Sequence, residues 1–92
     1  MEESVEAKNE LILDWVKKHD LKEDEFWYIV EWFKEMSIMK HFVDAMYNII
    51  KNDKYHFYDN KEDLKKGYAT NKGIVFELDN RFLILESGVF KG

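Results

Sequence analysis

The chain has 92 residues, 46% hydrophobic and 16% aromatic, with 36% charged and a net charge of −5. That is enough for one domain with a real core and too rich in apolar side chains for disorder, with no room for a second domain. The acidity is uneven: residues 1 to 35 hold eleven acids against five lysines, and the remainder eight acids against nine bases.

An acidic N-terminal half repels nucleic acid and anionic membranes and attracts basic protein surfaces, with a strength that falls as salt rises. Arg81 stands alone among thirteen lysines, and phosphate or base-edge recognition usually recruits arginine forks. Direct nucleic-acid binding is therefore not expected. The absence of cysteine removes disulfide and thiolate chemistry and fits a reducing compartment. Acids follow Met1 where a signal peptide would carry basic and apolar runs. The longest apolar run, Phe26 to Val30, has five residues, against the ~20 that a spanning helix needs. The expectation is a soluble cytoplasmic protein.

Ser4 is the expected N-cap of a first helix running to about Lys18. Val5, Ile12, Trp15 and Val16 share a face, Leu11 borders it and Leu13 lies off it. Lys17, Lys18 and His19 suit the negative end of the helix dipole. Asp20 and Glu23 form a D-x-x-E capping box that starts a second helix at about Leu21, and the short link makes the two helices antiparallel neighbours. At about 100° per residue, Phe26, Ile29, Val30, Phe33 and Met36 form one apolar stripe. Asp24, Glu31 and Glu35 lie opposite it, flanked by Trp27 and Tyr28, while Trp32 sits beside the buried stripe.

After Ser37 the stripe changes sides. Ile38, Met39, Phe42, Val43, Ala45, Met46, Ile49 and Ile50 centre on the other face of the same wheel. One continuous helix from Leu21 to Lys51 would be roughly 45 Å long, so two helices with a break near Ser37 are expected. No proline is present to force that break, which leaves it to tertiary packing.

Tyr55 to Tyr58 reads as a short aromatic strand. Asp59 and Glu62 form a second capping box, opening a short helix through Leu64 and Tyr68 that Asn71 and Gly73 end. Gly67 weakens that helix by about 1 kcal/mol relative to alanine. Ile74 to Leu78, Asp79-Asn80 and Arg81 to Glu86 read as a hairpin with a primed two-residue turn of positive φ. Its two faces are both apolar: Ile74, Phe76, Leu78, Leu83 and Leu85 on one, Val75, Phe82 and Ile84 on the other. The expected fold is α+β, with two or three N-terminal helices packed on a small, three-stranded, mainly antiparallel sheet. The chain is one domain, residues 1–92, with a helical part over 4–52 and a β-α-β-β part over 54–90.

The four glycines are isolated, so no phosphate loop exists, and Ser4, Ser37 and Ser87 lack a nucleophile elbow. His41 and Asp44 are three apart and could share a metal, but two ligands do not make a site. His19 reads as a helix-end charge and His56 as an outward strand residue. Glu31 and Glu35 lack the companions an acid–base pair needs. Tyr55, Phe57 and Tyr58 read as core rather than as a base-stacking platform, and Met36, Met39 and Met46 as adaptable core. No metal or cofactor is implied.

What stands out is the acidic row with its aromatics: Asp24, Trp27, Tyr28, Glu31 and Glu35. Acids steer a basic partner in, and aromatics supply the anchors that dominate interface energies. The leading expectation is a non-enzymatic inhibitor of a larger basic protein, with a nuclease or other nucleic-acid-processing complex as the natural partner. Phage and mobile-element inhibitors of the anti-CRISPR and anti-restriction type are similar to this chain in size and charge. The alternative is a structural or regulatory homodimer, antitoxin-like or immunity-like, joined through the spare apolar face of the hairpin, Val75, Phe82 and Ile84, or through surplus apolar surface on the Ile38 to Ile50 helix. A small enzyme comes third, because no catalytic constellation is visible.

Overall fold

The computed structural model describes residues 4–36 and 42–86. Along the chain these form α1 (Val5–Lys18), α2 (Glu23–Glu35), α3 (Phe42–Lys51), β1 (Tyr55–Tyr58), α4 (Lys61–Asn71), β2 (Gly73–Glu77) and β3 (Phe82–Glu86). The fold is α+β, and its antiparallel sheet has the order β1-β3-β2. Among the described residues no helix is long and apolar enough to cross a membrane.

Helix α1 begins as expected, with the Ser4 hydroxyl accepting from the Ala7 N–H at 3.1 Å. Its end differs from expectation. Asp20 adopts φ 51°, and the Asp20 and Leu21 amides donate back to the Lys17 and Val16 carbonyls at 3.2 and 3.0 Å. This is a Schellman closure, which uses a left-handed residue just past the helix. Asp20 is thereby committed to ending α1 and cannot cap α2. Helix α2 starts two residues later, where Glu25 accepts from the Lys22 N–H at 2.9 Å. Helix α3 closes in the same manner through Asp53, φ 54°. For α4 the cap also sits one residue beyond expectation: Asn60, not Asp59, accepts from the Asp63 N–H at 2.9 Å.

The helical path is indeed divided. Helix α2 ends at Glu35 with Met36 as its cap, and α3 starts at Phe42; Ser37, Ile38, Met39, Lys40 and His41 lie outside the described residues. With two helix axes, the opposed stripes no longer need opposed neighbours. Phe42, Met46 and Ile49 join Ile29, Val30 and Phe33 in one cluster that also holds Trp15, Phe76, Leu83 and Leu85. The Phe33 and Phe42 rings meet edge to face at 5.1 Å. The surplus apolar surface suggested by the wheel is therefore not found on α3. Met36 and Val5, both assigned to buried stripes, are 57% and 65% exposed, each standing at a helix end. The closest helix pair is α1 with α3 rather than α1 with α2, because the left-handed exit at Asp20 turns the chain away.

In the sheet, Phe57, Leu83 and Phe76 align across the three strands, as do Tyr55, Leu85 and Ile74; this face meets the helical cluster. The opposite face carries His56, Ile84 and Val75 in register, and next to them Tyr58, Phe82 and Glu77. Helix α4 packs on β1 and β3. Gly67 makes this fit: a Cβ there would overlap the Cζ and Oη of Tyr58. The residue expected to weaken α4 is thus what lets it settle on the strand. The hairpin turn is also not of the primed type. Among the described residues only Asp20, Asp53 and Lys72 have positive φ, so Asp79 and Asn80 do not. The connection closes through the Leu78 N–H on the Arg81 carbonyl at 2.9 Å.

Candidate interaction face on helix α2

Helix α2 offers its core Ile29, Val30 and Phe33 and keeps the reverse side in water. Asp24, Tyr28, Glu31 and Glu35 fall within about 60° of arc on that outer side, and all four are exposed. Trp27 flanks the row at 53% exposure, and Tyr28 is 46% exposed. Neither ring swings freely. Trp27 meets Phe26 edge to face at 6.0 Å, and Tyr28 meets Phe76 at 5.5 Å. Each aromatic is held by one edge and leaves about half of its surface in solvent, and a surface depression is lined by Glu23, Asp24 and Trp27. Among the described residues, Glu31 and Glu35 form no ion pair.

The face has a rigid mount. Glu25, only 7% exposed, accepts from the Lys22 N–H through one carboxylate oxygen and from the Asp79 N–H through the other, at 2.9 and 3.1 Å. Lys22 Nζ reaches Asp79 at 3.1 Å above it. The first turn of α2 is in this way pinned to the hairpin tip. Trp32 is half-buried against Phe33 and Phe76, as expected of a core-flanking ring.

No protein-family model, curated protein or solved structure matches this chain. Its own chemistry carries the functional argument.

The other sites named from sequence fare differently. Ile84 is wholly buried under the chain's own packing, Phe82 is half-buried, and only Val75, at 39%, is open. The three do not make a common exposed patch, because α4 lies across β1 and β3, and β3 carries Phe82 and Ile84. Of the pair His41 and Asp44, His41 lies outside the described residues and Asp44 is ion-paired with Lys8 at 2.7 Å. Among the described residues no three His, Cys, Asp or Glu side chains come together as a metal site. His56 is not simply outward: its Nε2 lies 2.6 Å from Glu86, which Lys54 approaches at 3.9 Å.

One cluster has no local signature in the sequence. His19 stacks on Phe57 at 4.7 Å, touches Trp15 and Tyr55 edge to face, and has Nε2 3.3 Å from the Tyr55 hydroxyl. Burial, then the Lys18 and Arg81 charges, hold its imidazole below the usual histidine pKa. The Arg81 guanidinium lies over the Phe57 ring at 4.6 Å and donates to the His19 carbonyl. His19 is a packed residue and Arg81 a strap from the hairpin to the end of α1. These partners are 62 residues apart in sequence, and no local pattern announces them.

Proposed function

We propose that the protein is a non-enzymatic inhibitor that docks on a basic surface of a larger protein through the outer side of α2. The observation that carries this reading is the pair of half-exposed aromatics, Trp27 and Tyr28, set among Asp24, Glu31 and Glu35, with Glu31 and Glu35 unpaired among the described residues. Anchoring rings amid acids meet both needs of an interface, burial and steering. A complex whose groove holds phosphates presents the opposite charge, so the proposed target is a nucleic-acid-processing complex of the kind that anti-CRISPR proteins block. Such a target would place the chain in the cytoplasm.

The test is capture from native lysate at low salt, followed by titration of the purified pair. Affinity is expected to fall at least about tenfold between roughly 50 and 500 mM salt. Glu31→Lys with Glu35→Lys should abolish binding, and Trp27→Ala should weaken it without altering the salt slope. Full binding by a folded charge-reversed variant would refute the proposal.

A further inference from the structure

A second exposed row lies on α4. Lys61, Lys65, Tyr68 and Lys72, the last at the cap of that helix, follow at intervals of four, three and four residues. Asp24, Tyr28, Glu31 and Glu35 on α2 follow at the same intervals. All eight residues are exposed, and Tyr68 at 48% matches Tyr28 at 46%. The α2 row is about 16 Å long at 1.5 Å per residue and stays within about 60° of arc, as Lys61, Lys65 and Tyr68 do on α4; Lys72, at φ 33°, follows just past the last helical turn. Read from its start, the α2 row is acid, tyrosine, acid, acid. Read from its end, the α4 row is lysine, tyrosine, lysine, lysine.

Laid antiparallel, the rows therefore put Asp24 against Lys72, Tyr28 against Tyr68, Glu31 against Lys65, and Glu35 against Lys61. Laid parallel, two of the four oppositions would set a charge against a tyrosine. Within one chain the rows are kept apart, since α2 packs with the core on one face of the sheet and α4 lies on the other. Among the described residues neither Lys61 nor Lys65 has an ion-pair partner. The geometry points to self-association, in which the α2 row of one copy lies antiparallel on the α4 row of a second copy.

The two rows are different surfaces, so the contact is either made twice in a closed dimer or repeated head to tail. Because it uses Asp24, Tyr28, Glu31 and Glu35, it covers the surface assigned above to a foreign target. Self-association and target binding then exclude one another, and the assembled form is a store that a stronger basic surface opens. The self-association itself does not depend on the target proposal.

Sedimentation velocity on the full chain tests it by charge exchange. The wild type should associate at roughly 50 mM salt and shift toward monomer by roughly 500 mM. Glu31→Lys/Glu35→Lys and Lys61→Glu/Lys65→Glu should each sediment as monomers while keeping wild-type circular dichroism. An equimolar mixture of the two should associate again, and so should the fourfold variant. The fourfold variant has the wild-type net charge of −5, so its recovery cannot come from overall charge. A wild type that stays monomeric at low salt overturns the inference, as does association indifferent to salt or a folded mixture that fails to recover. A wild type that is monomeric at low salt on its own yet binds polylysine through α2, or single-stranded DNA through α4, would also overturn it in favour of foreign occupants. Lys61→Glu/Lys65→Glu keeps the α2 row intact, so it should lose self-association and retain any target, which separates the two proposals.

Discussion

Replacing Glu25 by alanine should be the most damaging single change outside the apolar core. The side chain is 7% exposed and its two oxygens accept from the Lys22 and Asp79 amides. Losing a helix cap costs about 0.5–2 kcal/mol, and a hydrogen bond to a charged group contributes about 1.5–3 kcal/mol. Desolvation of the carboxylate offsets part of that, leaving an expected loss of about 2–4 kcal/mol. For a domain of this length, total stability is about 5–14 kcal/mol, and the melting point should fall by about 10–25 °C. Glutamine keeps one acceptor and turns an NH2 group onto a backbone N–H, so Glu25→Gln should lie between wild type and alanine. Lys22→Met removes only an exposed ion pair and should barely move the transition. Urea unfolding followed by circular dichroism, with the slope checked for constancy, gives all three values. A loss under about 1 kcal/mol for alanine, or glutamine indistinguishable from wild type, would refute the tie between α2 and the hairpin tip.

Gly67→Ala should destabilise by about 1–3 kcal/mol through overpacking on Tyr58, although helix propensity alone favours alanine by about 1 kcal/mol. Tyr58→Ala should absorb much of that loss in a double-mutant cycle measured by urea unfolding. Asp53→Gly should stabilise by about 0.5–1 kcal/mol, since its φ of 54° suits glycine; a fall in the urea midpoint would count against the Schellman assignment of α3. The folded pKa of His19 lies below its ordinary 6.5, so the unfolded chain binds more protons as pH drops. Its contribution is complete above 6.5 and is lost as pH falls from there toward the folded value. His19→Gln should therefore flatten the urea midpoint between about pH 7.5 and 5.5 relative to wild type, and an unchanged slope would show that His19 is not the group responsible.

Local and periodic features were legible in the sequence, and pairings across the chain were not. Ser4 as a cap, the outward row on α2 and the buried stripe behind it depend on neighbours three or four residues apart. The α+β class followed from helical periods giving way to alternation after Asp53. Both caps stand later than the D-x-x-E spacing predicts, at Lys22 and Asn60, because a box predicts that an acid near a helix start finds an amide but not which residue has already been spent on the preceding turn. Asp20 shows this most directly. The swap of apolar sides after Ser37 was a true signal given too strong a meaning: two axes can aim opposed stripes into one core, as Phe33 and Phe42 do. For the candidate site, the exposure of Trp27 and Tyr28 followed from the wheel. The mount beneath it did not, since Glu25 meets Asp79 54 residues away.

The strand order has a consequence for synthesis. The middle strand of the sheet is the one made last, so neither β1 nor β2 has a ladder partner until Phe82–Glu86 is available. While the nascent chain is still in the ribosomal tunnel, the apolar sides of α1 to α3 lack the floor they will rest on. A ribosome stalled before codon 82 should accordingly hold a protease-sensitive, chaperone-binding chain rather than a partly built domain.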